Sequence, residues 1–139
     1  MRSLTDPLAR ILISIIFVGA GALKLMHFSG TAQMLAAKGI PLATVVAALV
    51  ILIELGGGIA IIIGWKTKVA AAVQFVYLIP VSVMFHNFWA APPEMHQMQQ
   101  LNFLKNLAIM GGLLLLATRG AGASSVDGAA ARNGTHPRG

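Results

Sequence analysis

Cysteine is absent from all 139 residues. That excludes a disulfide framework, a CxxC redox pair, an iron–sulfur cluster and a Cys-bound zinc. Charge is also scarce. Asp, Glu, Lys and Arg make up 10% of the chain, against roughly 25% in an ordinary soluble domain. Acids are the rarest, four against ten basic residues. A soluble fold of this length needs more polar surface than this composition can supply, so a conventional cytosolic enzyme is excluded. The net charge of +6 is no nucleic-acid signature, because the basic residues stand singly and flank apolar runs. What is abundant is apolar: 57% of residues are hydrophobic and the mean hydropathy is +0.80. A single domain of this kind reads as a polytopic membrane protein.

Four apolar runs account for most of the chain. They cover Leu8 to Met26, Leu42 to Gly64, Val69 to Phe85, and Leu101 to Ala117. Each is 17 to 23 residues long, close to the ~20 that a helix needs to cross a hydrocarbon core of about 30 Å. Backbone polar groups in lipid must be satisfied internally, which helices do within each segment. A membrane β-barrel would need short alternating strands, and these runs are continuous.

The punctuation agrees. Asp6-Pro7 reads as an N-cap followed by proline at the first helical position. Gly64 can end the second span, and Trp65-Lys66-Thr67-Lys68 is a tight polar turn. Ala91-Pro92-Pro93 separates the third span from the fourth. Between the first two spans, Thr31 to Lys38 predicts a short surface helix, ended by Gly39 as a left-handed C′ residue and then Pro41. Ala121 to Gly139 is rich in Ala, Gly, Ser and Asn without an apolar face, and predicts disorder. The expectation is an all-α, four-transmembrane-helix bundle over 1–118 with a disordered cytoplasmic tail over 119–139.

Basic residues orient such a bundle. Arg2, Arg10, Lys66, Lys68, Arg119, Arg132 and Arg138 fall on the side of the termini, and Lys24, Lys38 and Lys105 on or near the other. Seven against three places both termini in the cytoplasm.

Most glycines read as helix-packing residues, the methionines as packing or lipid-facing, and Trp65 and Trp89 as interface anchors. Glu54 stands apart. It lies 13 residues after Pro41 and 10 before Gly64, or about 20 Å and 15 Å from the two ends at 1.5 Å per residue. A charge near the midplane costs roughly 2.5–3.5 kcal/mol on insertion scales, so Glu54 is expected to face the bundle on the side it shares with Ala47, Ile51 and Gly58. Lys24, His86 and Lys105 lie toward the outer ends of the other spans. Asn102, Lys105 and Asn106 form one helical stripe, and Ser82 and His86 another. If the helices are straight and level, Lys24 sits ~15 Å above Glu54, so Lys105, nearer in depth, is the better candidate partner. Lys24, Glu54, His86, Lys105 and Asn106 are expected to border one outward-opening ligand cavity. No HExxH motif or i, i+4 histidine pair occurs among His27, His86, His96 and His136, so no metal site is expected.

These same residues carry a resemblance. Phe17-Val18-Gly19-Ala20-Gly21-Ala22-Leu23-Lys24-Leu25 resembles the first-helix signature of the DoxX family of small bacterial membrane proteins, and Glu54-Leu55-Gly56-Gly57-Gly58 its second-helix motif. Phe85-His86-Asn87-Phe88-Trp89 and the stretch from Asn102 to Leu114 resemble its last two helices, so the resemblance covers about residues 8–118. It implies a four-helix protein of the bacterial inner membrane. It also implies an association with quinone-linked oxidoreduction, and hence a bound quinone as the cofactor and a membrane oxidoreductase as partner. The chain itself supplies no redox centre. Three functions follow as alternatives: an accessory subunit with a small-molecule cavity, a small transporter or proton-conducting unit, and a structural scaffold in which the polar residues only set helix register.

Overall fold

A computed structural model describes residues 4–134. Among them, four helical segments are long and apolar enough to cross a membrane. α1 runs Thr5–Met26 and α2 Phe28–Ala37. The second span is α3 (Ala43–Ile51), one wide turn over Leu52–Gly56 with i→i+5 winding, and α4 (Gly57–Ile63). α5 spans Thr67–Phe85 and α6 Pro93–Arg119, joined through a short 3₁₀ turn at Phe88–Ala90. α7 covers Val126–Gly134. The 38–42 and 86–92 connections share one end, here the distal face. Thr5, the 64–67 turn and Arg119 share the other, the terminal face.

The helices are polar inside and apolar outside. Leu12, Ile15, Leu52, Val69, Val76 and Leu114 are all exposed, whereas Ser14, Glu54, Gln74 and Asn106 are buried. In water this would be untenable, and in lipid the exposed apolar belt is solvated while the buried polar groups find partners inside. The apolar core is small: Phe17, Ile61, Ala71, Leu78 and Leu113.

Both predicted glycine stops are present. Gly39 (φ +76°) and Gly64 (φ +74°) adopt the left-handed conformation that glycine takes without a Cβ penalty. At the second stop, the Trp65 amide donates to the Ala60 carbonyl and the Gly64 amide to Ile61, satisfying carbonyls at the helix end.

Register is set by close glycine contacts. A Cβ on Gly21 would lie 3.0 Å from Glu54 Cβ and 2.8 Å from Leu55 Cγ, and one on Gly58 would meet Val18 and Phe17. In antiparallel helices this pairing brings Lys24 within about one turn of Glu54 in depth, or ~4–5 Å. The ~15 Å separation expected above is therefore corrected. α1 ends about 10 Å short of the start of α3, and α2 fills the remaining depth by packing Thr31 and Leu35 inward beside α3. The short helix thus begins three residues earlier than expected and belongs to the packed bundle.

The tail differs as well. Within the stretch expected to be disordered, α7 is helical and docked. Asp127 accepts from the Lys66 and Thr67 amides at 2.8 and 2.9 Å, and its own amide donates to the Gly64 carbonyl at 2.8 Å. The buried Arg10 donates from Nη2 to the Ser124 carbonyl at 2.6 Å. Composition alone missed this because the segment is held by a few long-range polar contacts and not by an apolar face. Residues 135–139 of the expected tail lie outside the described residues.

Candidate functional site

The site is built on the Glu54 carboxylate, which is 5% exposed. Ala47, Ile51, Glu54 and Gly58 share one buried face, as their spacing predicts. Lys24 Nζ donates to both carboxylate oxygens, at 2.9 Å to Oε1 and 2.8 Å to Oε2. Tyr77 Oη donates to Oε1 at 2.6 Å. The buried acid is thus charge-matched and holds three hydrogen bonds, the condition under which a charge can persist away from water.

The wide turn at Leu52–Gly56 carries this acid, and Gln74 braces the turn. Gln74 is wholly buried, and its Nε2 donates to the Ile53 carbonyl at 3.3 Å. Gly57 makes room, since a Cβ there would lie 2.6 Å from that nitrogen. Gln74 and Tyr77 are i and i+3 on α5, so one helical face supports both the turn and the carboxylate.

Above the carboxylate, toward the distal face, lies a cavity of about 330 Å³ among α1, α2, α3 and α5. Lys24, Thr31, Glu54, Tyr77 and His86 supply its polar lining, and Leu35, Val50, Val81 and Phe85 much of its apolar wall. His86 Nδ1 lies 2.9 Å from Gln99 Oε1. With that oxygen as acceptor, Nδ1 is the donor, and in the neutral ring this leaves a lone pair on Nε2. Lys24 uses two of its three ammonium protons on Glu54, and its side chain remains 26% exposed.

Of the five residues expected around one cavity, Lys24, Glu54 and His86 line it. Lys105 and Asn106 do not. Lys105 is exposed and donates to Asn102 Oδ1 at 3.1 Å, so Lys24, not Lys105, is the partner of Glu54. Asn106 is buried but donates to Ser82 Oγ at 3.1 Å, while Ser82 donates to the Leu78 carbonyl at 2.7 Å. These bonds tie α6 to α5, on a different side of α5 from the cavity. Sequence reasoning missed Tyr77 and Gln74. The available signal was that both are polar residues within a span free of charge, and that Tyr77 is the only tyrosine in the chain.

A second polar cluster closes the terminal face around Arg10, Asp6 and Asp127. Burial would raise the Asp127 carboxyl, but the Thr67 and Lys66 amides and the nearby Arg10 outweigh it and hold the group below the usual carboxylate range. Among the described residues, no three His, Asp or Glu side chains gather as metal ligands.

Four spans, three of which supply a buried acid–lysine–tyrosine centre, define a small polytopic α-helical membrane protein. A family model described as DoxX matches residues 6–87. Escherichia coli inner membrane protein YqjF is 40% identical over 130 residues, covering 91% of this chain and 95% of that protein. E. coli inner membrane protein YphA is 34% identical over 120 residues, covering 86% of each. The chain belongs to the DoxX family. A shorter similarity, 37% over 71 residues, links half of the chain to 23% of the yeast ER-derived vesicles protein ERV29. No solved structure matches.

Proposed function

We propose that this inner-membrane protein binds a small lipid-soluble ring compound of the quinone class in the cavity above Glu54, as an accessory component of a membrane oxidoreductase. The observation that carries the reading is an apolar cavity of about 330 Å³ with a hydrogen-bonded ion pair at its floor and a histidine in its wall. Ligand sites are typically apolar hollows of ~300–1,000 Å³ with a few convergent polar groups. The third Lys24 proton is a donor for a ring carbonyl. The His86 Nε2 lone pair is an acceptor for the hydroxyl of the reduced ring. The charge distribution supports an orientation with both termini cytoplasmic, so that the cavity opens toward the outer leaflet.

The test is thermal unfolding and equilibrium binding with a short-chain ubiquinone analogue in one detergent. Protection of the wild type, lost in Lys24→Met and weakened in His86→Ala, is expected. Absence of binding by the wild type, or binding by both variants as strong as the wild type's, overturns the reading.

A further inference from the structure

The terminal face carries two adjoining hollows unrelated to the Glu54 cavity. One, of about 310 Å³, lies between α1 and α6 and is walled by Ala9, Ile13, Gly112, Leu115 and Leu116, with Arg119 at its mouth. The other, of about 560 Å³, lies just beyond and is lined by Lys66, Lys68 and Arg119. Arg119, Gly120 and Ala121 belong to both. One hollow is apolar and lies between the first turns of α1 and the last turns of α6, and the other is basic and lies at their rim.

Charge and backbone shape both favour an anion there. Asp127 lines the basic hollow, but its two oxygens are already committed to the Lys66 and Thr67 amides. Asp6 borders the apolar one and, like Asp127, lies in the field of the buried Arg10. Three cations, Lys66, Lys68 and Arg119, therefore face two carboxylates across the two hollows, leaving a positive surplus. Gly120 (φ +87°) and Gly122 (φ +78°) turn the chain between α6 and α7. A Cβ on Gly120 would lie 3.2 Å from Lys68 Cε, so glycine keeps this boundary open and lays the lysine stem along it.

We infer that these joined hollows form a binding site for one anionic phospholipid, with the phosphate among Lys66, Lys68 and Arg119 and the first part of an acyl chain between α1 and α6. Basic pockets at the ends of membrane helices attract anionic headgroups. The apolar groove opening from the basic pocket favours a lipid over a free phosphate, which could use only half of the site.

Native mass spectrometry of the full chain in mild detergent tests this, with palmitoyl-oleoyl phosphatidylglycerol and the matched phosphatidylcholine as probes. One phosphatidylglycerol is expected to be retained about tenfold more than phosphatidylcholine. The triple variant Lys66→Gln, Lys68→Gln, Arg119→Gln should abolish that preference. Ala9→Phe, at an exposed groove position, should weaken retention of both lipids while the protein still unfolds cooperatively. Equal retention of the two lipids by the wild type overturns the proposal. So does displacement of phosphatidylglycerol by millimolar glycerol phosphate, which would assign the pocket to the phosphate alone. Unchanged retention in Ala9→Phe overturns the acyl-chain part.

Discussion

Replacing Glu54 with glutamine isolates the charge of the buried pair while nearly preserving its shape. The amide oxygen can still accept from Tyr77, so what is lost is the Coulombic attraction to Lys24 and one of its two hydrogen bonds. Breaking a dry ion pair by removing one partner costs roughly 3–5 kcal/mol, because the other charge is stranded. Lys24 is 26% exposed at its side chain and can tilt its ammonium toward the cavity, so the expected loss is reduced to about 2–4 kcal/mol. Lys105→Met is the reference substitution: Lys105 is exposed and bonded to Asn102 within its own helix, and the change should stay within about 0.5 kcal/mol. Gln74→Leu is no such reference, because Gln74 is wholly buried and supports the Ile53 carbonyl. The double variant Lys24→Met, Glu54→Gln carries no stranded charge. It should therefore be at least as stable as Glu54→Gln alone, a strongly non-additive result. Chemical unfolding of the wild type, Lys24→Met, Glu54→Gln, their double variant and Lys105→Met in one mixed-micelle system measures this. Additive losses, or a Glu54→Gln protein as stable as Lys105→Met, would refute the charge-paired centre.

Gly21→Ala should destabilise by about 1–3 kcal/mol through overpacking, since its Cβ would press on the Leu55 amide nitrogen and Glu54 Cβ at 3.0 Å. Gly19→Ala, with nothing within 4 Å, should be neutral or stabilising by up to about 1 kcal/mol from helix propensity; the same unfolding assay separates the two. Asp127→Asn should cost about 0.5–1.5 kcal/mol in the docking of α7, because Asn keeps one acceptor oxygen and loses the second of the two amide hydrogen bonds. Because the folded carboxyl titrates below its unfolded value, its contribution is present above about pH 4 and disappears as pH falls through the lowered folded value. Hydrogen exchange of amides 126–134 should show that acid-dependent loosening in the wild type, and uniformly weaker protection in Asp127→Asn. Reporter fusions after Thr118 and within the 27–41 connection should report opposite sides of the membrane, the first cytoplasmic; a shared side would defeat the four-span topology.

What could be read along the chain is what depends on local hydropathy and backbone chemistry. Span number follows from the bilayer's thickness, and helix ends at Gly39 and Gly64 from the left-handed backbone that glycine permits, whereas α6 starts at Pro93, eight residues before the apolar run that marked it. The inward aim of Glu54 follows from the cost of a charge in lipid and from the small residues beside it. The identity of its partners did not follow. Depth counted along each helix assumed that α1 and α3 begin and end level. The contacts of Gly21 with Leu55 and of Gly58 with Val18 slide the helices past that alignment, and α2 fills the gap. That offset brings Lys24 onto Glu54. The wide turn at Leu52–Gly56 and the packing of α5 add Tyr77 and Gln74, while α6 carries Lys105 and Asn106 away from the cavity. α7 is likewise a tertiary product, since the Arg10 and Asp127 contacts that hold it join residues more than 60 positions apart or at that distance. Solvent and spacing act on each residue where it stands in the chain, whereas side-chain partners across helices depend on relative register, which only the packed bundle decides.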